Sequence, residues 1–274
     1  MTAGVEVATE VVGDPAAGRP VVLAPMVGNG ADLAPLAEWA TVVTYDARNR
    51  GRSTTVDVPN RLGFTIEVAD LERVRLSYAI ERPVLFGWGY HAAVVVAYAL
   101  SHPERVAGLV LVSPLPTNSL ATPREARPPD PAALALVDQL EADDGRQRDP
   151  EALSRAWRAA YLPTQLGNPD AADRVTDTSG LPNEYPWHAA QGLVAVLGDL
   201  GPYDWRPLLR DLQVPMLVVA GTAEQEPIEH AAEWADLAGA GRFLELEGVG
   251  RHPWAEAPEV FFTTVGRFVN GESV

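Results

Sequence analysis

The chain predicts an α/β domain, a mostly parallel sheet covered by helices on both faces and interrupted by a helical insertion. Three observations lead there. Short apolar runs alternate with longer helix-like segments over residues 21–112, the alternation resumes near Val214, and between about Pro116 and Trp205 the strand signal stops.

Taken in order, Val21–Ala24, Val42–Tyr45, Pro83–Phe86, Gly108–Val112, Met216–Ala220 and Arg242–Leu246 read as strands. Several are continuous apolar runs, as expected of strands buried on both faces. Val68–Ile80 and His91–Ser101 have the length and period of helices. The interrupted stretch carries a Pro-rich joint, Arg127–Pro131, and helix-like pieces at Pro131–Ala142 and Pro150–Tyr161. The expected organisation is a core of residues 1–115 and 206–274 with a helical lid over 116–205, because insertions at the carboxyl edge of such sheets cover the site.

Composition narrows the function. With 274 residues, 47% of them hydrophobic, the chain suits one large domain with an insert. A formal net charge of -16 repels phosphate backbones and anionic lipid, so neither nucleic acid nor a membrane is the expected partner. No apolar stretch approaches the roughly 20 residues of a membrane span. The opening residues, MTAGVEVATEVV, lack a basic region followed by an apolar run, so no secretory signal and a cytoplasmic location are expected. There is no cysteine, hence no disulfide and no thiol nucleophile. All 21 basic residues are arginine, which excludes lysine Schiff-base chemistry and suggests a high-GC bacterial source. No nucleotide-binding glycine motif and no ligand-spaced His or carboxylate cluster stands out, so neither cofactor nor metal is expected.

Several segments resemble a known family. Val42-Val-Thr-Tyr-Asp-Ala-Arg-Asn-Arg-Gly-Arg-Ser53 is similar to the strand-and-loop signature YDxRxxGRS of α/β-hydrolases, especially the proline-iminopeptidase-like branch. Pro83-Val-Leu-Phe-Gly-Trp-Gly-Tyr-His-Ala92 resembles the nucleophile strand and the elbow leading into its helix, and Ser101–Val112 the strand after it. Val214–Gly221 resembles the strand before the catalytic acid, and Gly250–Glu259 the histidine loop and last helix. The resemblance implies the α/β-hydrolase fold with a lid.

The same resemblance implies altered chemistry. The family's elbow reads G-x-S-x-G, whereas here it reads Gly87-Trp-Gly-Tyr-His91, with Gly89 at the nucleophile position and His91 in place of the last glycine. Serine-ester hydrolysis is therefore not expected. The acid position falls on Glu224, with Glu226 and Glu229 nearby as alternatives. In the histidine loop the literal alignment puts Arg251 where the base stands, while a one-residue shift would bring in His252; both remain candidates. Backbone N–H groups at Tyr90 and at Met26 or Val27 are candidate oxyanion donors, since such donors do not depend on their side chains.

Two readings of Gly89 compete. One is relief of elbow strain, about 1–3 kcal/mol, in a decayed hydrolase. The other, preferred here, is a side chain removed to make room while oxyanion donors are kept. The expected catalytic set is His252, Glu224, His91 and Arg251. Met26, Val27, Trp88, Gly89, Tyr90 and Trp254, with the lid residues Tyr185, Trp187 and His188, are expected to surround the substrate. Glu184 makes a candidate acid–base pair with His188. His102 and His230 are expected to be structural, and Asp46 with Arg48 a loop-fixing pair.

The functional expectation is a cofactor-independent, non-hydrolytic tailoring enzyme of bacterial natural-product biosynthesis, catalysing cyclisation, carbon–carbon bond formation of Michael or aldol type, isomerisation or decarboxylation. Its partner is a bulky apolar small molecule; the oligomeric state is left open. The alternatives are a hydrolase that activates water directly and a non-catalytic small-molecule binder.

Overall fold

A computed structural model describes residues 4–56, 61–114, 127–142, 149–182 and 194–274. Seven strands form one sheet: β1 (Thr9–Val12), β2 (Val21–Met26), β3 (Thr41–Asp46), β4 (Val84–Trp88), β5 (Gly108–Val112), β6 (Met216–Gly221) and β7 (Gly241–Leu246). Their spatial order is β1-β3-β2-β4-β5-β6-β7, with β1 antiparallel to β3 and every other pair parallel. The α/β-hydrolase fold expected from the sequence is therefore the fold observed.

Alternation along each strand builds two cores. Leu23, Val43, Leu85, Leu109 and Val218 face one side of the sheet, with helices α1 (Phe64–Ser77) and α2 (His91–Ser101) packed on them. Val22, Val42, Phe86, Val110 and Val219 face the other side, together with Leu33 and Leu36 of the 3-10 segment Gly30–Glu38. A strand with both faces covered must be apolar at every position, which is why β2 and β6 are buried throughout. Each fully buried Leu or Val side chain contributes about 1.5–3 kcal/mol.

Between β5 and β6 the described residues hold α3 (Pro131–Glu141) and α4 (Pro150–Tyr161) and no long strand. Both helices start on an Asp-Pro pair. Asp130 accepts a hydrogen bond from Ala133 N–H at 2.8 Å, and Asp149 from the N–H groups of Glu151 and Ala152. Proline at the first helical position loses no intrahelical bond, and the aspartate satisfies N–H groups that have no partner inside the helix. After β6 come α5 (Ile228–Leu237), which carries His230, and then β7 and α6 (Pro258–Val269).

The strands run one or two residues longer than their apolar runs suggest, reaching Met26, Asp46, Trp88 and Gly221. Helix α1 begins at Phe64 rather than Val68 and stops at Ser77, because Ala79 takes a left-handed φ of 51° that no helix continues. β1 escapes the sequence reading: it is a four-residue edge strand, Thr-Glu-Val-Val, without a continuous apolar run. Among the described residues no helix is long and apolar enough to cross a membrane.

Candidate active site

All the candidate groups on described residues sit at or just beyond the carboxyl ends of the parallel strands, where an open α/β sheet places its ligands. The β4–α2 turn is the tightest point. A Cβ on Gly87 would run into the backbone of His91 and Ala92, so glycine lets the strand and the helix start approach each other. Gly89 follows at φ 57°, a left-handed conformation, and its N–H donates to Val112 O at 3.0 Å, extending the β4–β5 ladder by one rung. Tyr90 then stands at the start of α2. Among the described residues, the Tyr90 N–H has no backbone acceptor.

Arg251 reaches over this turn. Its Nη2 lies 3.1 Å from the point that a Cβ on residue 89 would occupy. Nη1 lies 3.4 Å from Glu226 Oε1, and both side chains are about three-quarters buried. The backbone fixes the approach: Arg251 N–H donates to Gln165 O at 2.8 Å, and Trp88 Nε1 donates to Arg251 O at 3.0 Å. Gly250 has no room for a Cβ against Gln165 O, so segment 162–167 presses directly on this loop.

Glu224 lies one loop away. Its Oε1 accepts two hydrogen bonds, from Gly221 N–H and from the Ser113 hydroxyl, each at 2.8 Å. Among the described residues Oε2 accepts none. Burial pushes its pKa up to about 7, against the lowering effect of those two bonds and of the Arg251 charge. Ala223 N–H donates to Val249 O at 3.0 Å, and Gly221 has no room for a Cβ against Val249 O; these contacts tie the Glu224 loop to the Arg251 loop.

His252 goes elsewhere. It is 3% exposed, and its Nε2 lies 3.1 Å from Gln165 Oε1. Its ring is 4.8 Å from Trp88 and 5.3 Å from Trp254, centroid to centroid. Burial drives its pKa down to about 3, so it is a neutral imidazole packed in an aromatic cluster. Glu224 spends its bonds on Ser113 and Gly221, and the expected His252–Glu224 pair is not formed. Gln165 engages both neighbours: its carbonyl accepts the Arg251 N–H, and its side-chain oxygen lies against the His252 ring.

A second polar group is buried beneath the turn. His91, from α2, places Nε2 3.8 Å from Oε2 of Glu67 on α1, and Glu67 Oε1 accepts from Tyr90 OH at 3.4 Å. Burial raises Glu67 to about 7, partly offset by Arg50, and lowers His91 to about 3. Nearby, Arg48 makes a two-pronged pair with Asp70, at 2.6 and 2.8 Å.

Several expectations need correcting. Trp254 packs in the core with its Nε1 donating to Asp32 at 3.0 Å, and the Met26 side chain is 1% exposed inside the sheet core. Trp88, which packs edge-on to Trp254 at 5.2 Å, remains partly exposed, as do Val27 and Tyr90. Asp46 and Arg48 do fix loops, but not as a pair: Asp46 accepts from the N–H groups of Gly28 and Arg52, and Arg48 turns to Asp70. Glu184, Tyr185, Trp187 and His188 lie outside the described residues. Sequence reasoning missed Glu67, Arg50, Ser113 and Gln165. Among the described residues no group of three His, Asp or Glu side chains is arranged to hold a metal ion.

Comparison with known proteins places this geometry in context. The alpha/beta hydrolase fold family matches over residues 30–254. A pimeloyl-[acyl-carrier protein] methyl ester esterase of Edwardsiella ictaluri is 29% identical over 211 residues, covering 76% of this chain and 77% of its own. A proline iminopeptidase of Heyndrickxia coagulans is 21% identical over 251 residues, covering 87% and 84%. Among solved structures, the enol-lactonase of Burkholderia xenovorans LB400 superposes with a TM-score of 0.71 at 20% identity, covering 98% of both chains. These relatives are named as hydrolases. They overturn the expectation of a non-hydrolytic cyclising or isomerising enzyme of natural-product biosynthesis, and favour the hydrolytic alternative.

Proposed function

Because the chain belongs to the α/β-hydrolase family, we propose that it is a hydrolase of small-molecule esters or related carbonyl compounds in which Glu224 activates water directly. Gly89 takes the place of the family's serine, so no acyl-enzyme forms on this chain. The observation that carries the reading is the buried Glu224 carboxyl, with its pKa near 7, one oxygen bonded and the other unengaged by any described residue. A base with a pKa near the working pH combines a useful ionised fraction with a useful driving force for proton transfer.

In this mechanism Glu224 Oε2 takes a proton from a water as the water oxygen bonds to the substrate carbonyl carbon. The oxyanion that forms is met by the Tyr90 N–H, with Met26 or Val27 N–H as second donor, and by the Arg251 guanidinium above Gly89. Collapse breaks the bond to the leaving alkoxide, which takes the proton back from Glu224. Glycine at residue 89 leaves the guanidinium room to stand there. Segment 116–205 acts as the lid, and Arg251 replaces histidine as the charged partner of the acid loop.

The test is hydrolysis of p-nitrophenyl and alkyl esters by wild type, Glu224→Gln and Arg251→Ala, with mass spectrometry after fluorophosphonate treatment. The expected result is turnover that falls about 10²-fold or more in either variant, with no covalent adduct. A phosphonylated protein, or full turnover by Glu224→Gln, overturns the reading. Tight ester binding without turnover by wild type would assign the chain a binding role instead.

A further inference from the structure

Glu67 lies outside the groups used above, yet it touches two consecutive residues of the β4–α2 turn from a different helix. Oε1 accepts from the Tyr90 hydroxyl at 3.4 Å, and Oε2 faces His91 Nε2 at 3.8 Å. Glu67 is 5% exposed and His91 1%, and among the described residues neither Oε2 nor Nε2, both buried, has a hydrogen-bond partner. A carboxyl hydrogen on Oε2 aimed at Nε2 would satisfy both atoms once their separation shortened to hydrogen-bond range.

We propose that Glu67 is a positioning residue for the β4–α2 turn: one carboxyl oxygen holds Tyr90, the other holds His91, and together they fix the direction of the Tyr90 N–H. The clamp explains the histidine at residue 91. A glycine there could not reach α1, whereas the imidazole spans the gap to a carboxyl that also reaches the tyrosine next to it.

The charges around the pair agree with a carboxyl that keeps its proton up to about pH 7. Arg48 and Arg50 favour an ionised Glu67, while Asp70 and burial oppose it, and burial dominates. For His91, burial and the Arg50 charge both act against protonation. Tyr45 and Tyr90, the remaining titratable groups against the pair, are each raised by burial and by Glu67, and stay protonated. Below about pH 7, where it keeps its proton, Glu67 offers a carbonyl oxygen to Tyr90 OH and an O–H to His91 Nε2. The amide of glutamine offers the same two functions, an acceptor and an N–H donor, in nearly the same shape.

This role rests on the hydrolase reading only for its kinetic consequence, so the experiment has two arms. Amide hydrogen exchange at Tyr90 and His91 is compared in wild type, Glu67→Gln and Glu67→Ala, alongside kcat and KM for ester hydrolysis. Glu67→Gln is expected to match wild type in exchange and to stay within about threefold in kcat. Glu67→Ala is expected to exchange about tenfold faster at both residues, with kcat down about 10–10²-fold and KM nearly unchanged, since a misplacement of order 1 Å costs about that much. If Glu67→Ala fails to fold, Tyr90→Phe removes one arm, and faster exchange at the turn is again expected. Unchanged exchange in the arm-removing variant, or a Glu67→Gln protein that exchanges as fast as it, overturns the clamp. Absence of ester hydrolysis in wild type would count against the hydrolase reading alone, because the exchange arm needs no substrate.

Discussion

The guanidinium of Arg251 and the backbone of Gly89 meet at the head of β4: Nη2 lies 3.1 Å from where a Cβ on residue 89 would stand, and Gly89 has a φ of 57°. A side chain there would meet two costs, left-handed backbone strain and crowding against the flexible end of an arginine. The strain amounts to about 1–2 kcal/mol for an L residue.

Gly89→Ala is therefore expected to lower stability by at least about 1–2 kcal/mol, read as a shift of the urea midpoint at unchanged m-value. In an Arg251→Ala background the crowding disappears and only the backbone strain remains, so the residual loss isolates that strain. A Gly89→Ala protein as stable as wild type would show that the turn relaxes out of its left-handed conformation.

Activity should depend on pH through Glu224. A general base works ionised, so kcat/KM is expected to rise with pH and level off above about 7, the value to which burial lifts this carboxyl. His252, packed between Trp88 and Trp254, is not the source of that limb. The limb is thus expected to persist in His252→Gln and to vanish in Glu224→Gln. Loss of the limb in His252→Gln would return the histidine to the mechanism.

Stability carries two opposite pH dependences. Glu67 and Glu224 are raised from 4.5 to about 7, so between those values the folded state binds more protons than the unfolded, and their contribution is lost as pH rises. His91 and His252 are lowered from 6.5 to about 3, so theirs is lost as pH falls through that window. Urea midpoints measured from pH 4 to 8 should show Glu67→Gln gaining on wild type across pH 4.5–7. A constant difference over that range would mean Glu67 titrates normally.

Asp70 neutralises Arg48 inside the protein, at 2.6 and 2.8 Å with both side chains at most 5% exposed. Asp70→Ala is expected to cost about 3–5 kcal/mol, because it strands a buried cation. Adding Arg48→Met should recover most of that loss, since an apolar replacement of the pair removes the stranded charge. A double variant no more stable than Asp70→Ala would place the cost in packing instead of charge.

How much of this was legible in the sequence follows from the range of the forces involved. The apolar runs of β2–β6 and the helix-like pieces from Pro131 and Pro150 are local signals, and each marked an element. β1 gave no such signal because an edge strand needs only one covered face. Glu224 was chosen from its place after β6, a position that the order of segments along the chain marks. Glu67 was not, because nothing in Phe-Thr-Ile-Glu-Val-Ala-Asp distinguishes a buried glutamate from a solvated one until α2 packs against it.

By itself, the sequence determined the mostly parallel sheet, the order of its strands and helices along the chain and the glycine at the β4–α2 turn. Those depend on periodicity, turn chemistry and order along the chain, all carried by neighbouring residues. Only the tertiary structure set Arg251 against Gly89 and the His252 ring against Gln165, 87 positions earlier, because those contacts join segments far apart in the chain. The burial that lifts Glu224 and Glu67 and lowers His91 and His252 was likewise settled only when distant segments closed over them. Desolvation depends on what surrounds a group in three dimensions, and a linear sequence does not state it.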